Sequence, residues 1–137
     1  MIMIHTMSQT LFKRAFLFLC ITGALNWAGV TLYLYWSLWW YDVLMHFLGG
    51  LTVGFATLWL VRLRTGYNFS LVQCLRIVLY GGIFVGIVWE IFELYYHVTT
   101  FDDGIYFVTD TMGDLIMDTI GALVAGVWGY NILKKND

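Results

Sequence analysis

Four long apolar runs dominate the chain, at about residues 15–36, 43–63, 76–97 and 111–133. Each has the roughly 20 residues an α-helix needs to cross a bilayer core. The segments between them are short and carry turn residues, such as Gly66, Asn68 and Ser70 in one and Asp102-Asp103-Gly104 in another. This pattern predicts an all-α membrane protein: four transmembrane helices in one antiparallel bundle, with residues 1–137 a single integral-membrane domain. Residues 1–12 read as a short mixed tail in which His5 is solvated. Lys13 and Arg14 before the first run resemble the start of a signal peptide. That run is too long for a signal core and lacks a small-residue cleavage site, so it is expected to stay as the first spanning helix. It ends in YLYWSLWWY, residues 33–41, a composition suited to the headgroup interface.

Charge adds direction to this pattern. With four crossings, all seven basic residues (Lys13, Arg14, Arg62, Arg64, Arg76, Lys134, Lys135) fall at one end of the bundle. The positive-inside rule makes that end cytoplasmic, which puts both termini inside and the protein in the bacterial inner membrane. Every acid except Asp137 falls in the opposite half. The scattered basic residues give no nucleic-acid footprint. There is no phosphate-binding loop for a nucleotide cofactor and no nucleophile elbow. Cys20 and Cys74 form no metal or redox motif and are expected as free thiols.

The acids interrupt segments that would otherwise be wholly apolar. Asp110, Asp114 and Asp118 recur at four-residue steps and so share one helical face. Insertion scales charge about 2.5–3.5 kcal/mol for an Asp at the centre of a spanning helix, so such residues normally face a protein interior or water. Asp42 and His46 lie one turn apart at the start of the second helix, and Glu90, Glu93 and His97 fall on one face of the third. Asn26, in the middle of the first, offers a fourth wall. Small residues continue the same faces: Gly49, Gly50 and Gly54; Gly82 and Gly86; Gly121, Ala122, Ala125 and Gly129. They let spanning helices approach closely, so the acidic faces are expected to be the packed ones.

Carboxylates packed together cannot all remain ionised without a cation, because like charges and desolvation both favour the protonated form. A divalent metal on His46, Asp114, Asp118, Glu90 and Glu93 is one resolution, with Asp42, His97, Asp110 and Asn26 as secondary candidates. The other is a set of protonated acids acting as general acids or proton carriers. Glu90-x-x-Glu93-x-x-x-His97 is similar to the Glu-x-x-His helices of di-metal bundles, without being the same. Purely structural readings stand beside these: helix caps and solvated ends for Asp42, Asp110 and His97, and interhelical hydrogen bonds for the deeper groups.

The order Asp42-x-x-x-His46-Phe47-x-Gly49-Gly50, then Trp89-Glu90-x-x-Glu93, then Asp110-x-x-x-Asp114-x-x-x-Asp118-x-x-Gly121 resembles the YjdF-like family of small bacterial inner-membrane proteins. It is more distantly similar to VanZ-like proteins, from which it departs at Asp102, Asp103 and Asp118. The resemblance implies a multi-spanning envelope protein and supplies no reaction. The residues then suggest a polar site open to the outer leaflet that binds or acts on a lipid head group or lipid-linked envelope precursor. In an enzymatic form, Glu90 or Glu93 is the general acid or base. A cation or proton transport component and an accessory subunit are the competing readings, and a homo-oligomer or a membrane partner fits either.

Overall fold

The computed structural model describes residues 2–134, and among them every extended element is helical. Helix α1 covers Ile2–Thr31, a single turn α2 covers Leu34–Ser37, and α3 covers Tyr41–Thr65. Helix α4 covers Leu71–Tyr95, a 3-10 turn covers Phe101–Asp103, and α5 covers Ile105–Lys134. The four long helices are each apolar enough to cross a membrane.

The element boundaries differ from the hydropathy reading for local reasons. Helix α1 starts well before residue 15, because the polar residues of the expected tail include no helix breaker and Leu11 is fully buried in the core. It also ends earlier. Tyr33 takes a left-handed conformation (φ 57°), and the aromatic stretch turns back over the helix instead of extending it. The Tyr35 hydroxyl donates to Asn26 Oδ1 at 2.8 Å and the Tyr41 hydroxyl to the Leu25 carbonyl at 2.7 Å. Both rings lie over Gly29, where a Cβ would sit 2.6 Å from each. Trp36 and Trp39 point outward, as interfacial anchors do.

At the other end, α3 closes on Gly66 (φ 68°), whose amide donates to the Arg62 carbonyl. Arg62 is buried, and its Nη1 donates to the Tyr67 carbonyl and to Asn68 Oδ1, so this charge also clamps the loop. Helix α4 begins at Leu71 and not near residue 76, because Ser70 and Gln73 form a capping box.

Helix α3 packs against both α1 and α5, and α5 packs in turn against α4. The core is Leu11, Leu51, Phe55, Leu58, Val78 and Leu133, around the alanines Ala122 and Ala125. Two glycines set the closest approach. A Cβ at Gly50 would collide with the backbone carbonyl of Asp118, and one at Gly121 with that of Phe47. Backbone-to-backbone contact of α3 and α5 therefore occurs within one turn of His46 and Asp118. The remaining surface of the long helices is largely apolar, as a lipid-facing surface requires.

Candidate metal centre

Three helices deliver six polar side chains to one end of the bundle, opposite the described basic residues. Asp42 and His46 come from the first two turns of α3, Glu90 and Glu93 from the last two turns of α4, and Asp114 and Asp118 from α5. His46, Glu90, Asp114 and Asp118 are each less than 10 % exposed. The Asp42 side chain, at 38 % exposure, opens the group toward the surface.

His46 stands at the centre. Its Nδ1 lies 3.4 Å from Asp118 Oδ2. Its Nε2 lies 3.8 Å from Asp42 Oδ1 and 3.7 Å from Asp114 Oδ1. Ligand atoms of Asp42, His46 and Asp114 all lie within 4.8 Å of one another, as do those of Glu90, Glu93 and Asp114. A point equidistant from three atoms so spaced lies up to about 2.8 Å from each, so small side-chain shifts would bring the donors to the roughly 2.0–2.6 Å that divalent cations make to nitrogen and oxygen. Metal-bound histidines usually donate their second ring N–H to a carboxylate. Asp118 occupies that position relative to His46 Nδ1, so a cation held here would take Nε2 as its donor atom with Asp118 as the orienting group. Gly86 makes room for it, since a Cβ there would sit 2.9 Å from Asp118 Oδ2.

The α4 arm is less satisfied. The Trp89 indole N–H donates to Glu93 Oε1 at 3.0 Å, holding that side chain in place. Glu90 is 6 % exposed, and neither of its oxygens has a hydrogen-bond partner. The buried Thr111 hydroxyl faces it without closing a hydrogen bond of normal geometry. A buried carboxyl with no partner costs free energy in any protonation state.

The secondary candidates divide. Asp42 does not cap its helix, since it lies inside the first turn and faces His46. Asp110 is exposed at the rim. His97 is not brought in: α4 ends at Tyr95, so the i+7 spacing from Glu90 does not continue as helix. His97 instead adopts φ 57° just beyond the cap, with the Val98 amide donating to the Glu93 carbonyl. This is a helix-terminating turn with His where Gly is commoner. Asn26 is occupied by Tyr35, and its place as fourth wall is taken by Tyr35 itself. Burial, then the charge of Asp42, then Tyr41 and Glu93 push the Tyr35 phenol up to about 12. Its hydroxyl is thus a standing donor beside the acids. Neither Tyr35 nor Thr111 stood out in the sequence, where one is lost among aromatics and the other among ordinary helix residues.

A family model described as "Predicted membrane protein (DUF2238)" matches residues 2–135. No curated protein and no solved structure matches the chain.

Proposed function

The chain belongs to the DUF2238 family of predicted membrane proteins, and on that premise we propose that its acidic cluster is a divalent-cation site that binds and acts on a phosphate-bearing lipid head group. Within the family we read it as YjdF-like, on the Asp42-to-Gly50, Trp89-to-Glu93 and Asp110-to-Gly121 patterns. We place it in the bacterial inner membrane with its basic end, and hence both termini, in the cytoplasm, and with the site at the outer leaflet.

The observation that carries this reading is Glu90. It is a buried carboxyl without a partner, turned toward Glu93 and Asp114 in a group that contains no Lys or Arg. A cation removes both the repulsion and the missing hydrogen bond. Head-group recognition follows from position. The site meets the surface at Asp42, beside the exposed Trp36, Trp39 and Trp40. An apolar groove between α4 and α5, lined by Ile83, Ile87, Met112, Leu115, Ile116 and Ile120, runs at the level of Asp114 and Asp118. An acyl chain in that groove would leave its head group toward the outer ends of α4 and α5, the end that carries the acids, and a bound cation would turn a repulsive surface into an attractive one.

Transport is the weaker reading. Residues 47–61 of α3, 77–89 of α4 and 119–133 of α5 contain no acid, base or histidine, so the polar ladder stops at Asp118.

The test is retention of phosphatidylglycerol by the detergent-purified chain with Mn2+ present and again after chelation with EDTA. Retention is expected to fall about tenfold on chelation, or roughly 1.4 kcal/mol, and Asp114→Asn is expected to show the low value in both conditions. Equal retention by all samples would refute the head-group reading.

A further inference from the structure

The two triads share one residue. Asp114 completes both the Asp42–His46 group on α3 and the Glu90–Glu93 group on α4. We infer that, if the cluster holds a cation as proposed above, it holds two, bridged by the Asp114 carboxylate. One is bound by Asp42 and His46 Nε2, the other by Glu90 and Glu93.

Three observations converge on this arrangement. The triads reach Asp114 from different helices, so a single ion central to one leaves the other's carboxylates unneutralised. Glu90, more than nine-tenths buried and with both oxygens unpartnered, belongs to the triad without the histidine. An ion on the Asp42–His46 side therefore does not explain it. Charge gives the third. Asp42, Asp114, Glu90 and Glu93 carry four negative charges as carboxylates, His46 is neutral as a ligand, and the group contains no basic residue. With the Asp118 carboxylate counted as well, two divalent cations leave a single negative charge, set against the His46 Nδ1–H, whereas one leaves three in a low-dielectric site. Asp118 stays outside the ligand set as the acceptor from His46 Nδ1.

A mixed nitrogen and carboxylate donor set suits a transition metal such as Mn2+. Cations that share a carboxylate in two-metal sites lie about 3.5–4 Å apart, close enough to clamp both the attacking and leaving oxygens of a phosphoryl group.

The experiment loads the detergent-purified full chain with Mn2+, removes loose metal, counts manganese per chain, and records the paramagnetic resonance spectrum. Two ions per chain are expected, with the hyperfine pattern of an isolated ion replaced by that of a spin-coupled pair. Asp42→Asn and Glu93→Gln are each expected to drop the count to one and restore the isolated-ion spectrum, and Asp114→Asn to lose both ions. Circular dichroism of each variant checks that the helices remain. One ion in the wild type, or two without coupling, overturns the bridged pair while leaving cation binding by the cluster standing. No bound manganese in a folded wild type overturns the pair and the cation site together.

Discussion

Glu90, buried with neither carboxyl oxygen hydrogen-bonded, is the most informative single residue for the proposed cation site. In the metal-free protein its carboxyl is buried without a hydrogen bond, a penalty of about 1–3 kcal/mol. Glu90→Leu, similar in size and without polar atoms, is therefore expected to be more stable than wild type in EDTA by about that amount. Denaturant titration in mixed micelles measures it, and added Mn2+ should raise the wild type more than the variant, which keeps the Asp42–His46–Asp114 group. A Leu variant that is less stable in EDTA would mean that Glu90 already has a partner. At this scale the sequence was partly legible. Four-residue spacing put Asp114 and Asp118 on one face, and both are buried in the cluster. Their separate positions, one between two triads and one behind His46, depend on rotamers and helix crossing, which spacing does not encode. His97 had the right spacing but lies past the end of its helix.

Among elements, the α3–α5 pair does most to shape the site. Gly50 and Gly121 let these backbones touch, and that contact brings His46 to Asp118 and Asp114. Gly50→Ala must push the helices apart, at about 1–3 kcal/mol for overpacking, and is expected to weaken metal binding together with stability. Gly113→Ala is the control. A Cβ there meets nothing within 4 Å, and the exchange is expected to be neutral or stabilising by up to about 1 kcal/mol. If both variants unfold at the same denaturant concentration, close approach is not what holds α3 to α5. Small residues on the acidic faces made this packing readable in advance. Helix ends were less so. The Ser70–Gln73 capping box is a local signal that hydropathy passed over, and the turn at Tyr33 is set by Tyr35 and Tyr41 closing over Gly29, a tertiary event.

At the level of the whole molecule, the chain separates its charges along the bundle. A chain that is 61% hydrophobic and 12% charged has little to spend on polar groups, and it places nearly all its acids at one end and its bases at the other. The four-helix architecture was legible because lipid leaves a long chain segment few alternatives to helix. The site was legible only as a gathering of acids and a histidine, since the sequence has no motif as specific as a paired CxxC. The central claim is that this gathering exists to hold a divalent cation. Elemental analysis of the detergent-purified protein, with Asp114→Asn and Glu90→Gln alongside, tests it most directly. At least one divalent ion per chain in the wild type, lost in Asp114→Asn and reduced in Glu90→Gln, is the expected result. A folded wild type with metal at the background level, or a content that Asp114→Asn leaves unchanged, would contradict it.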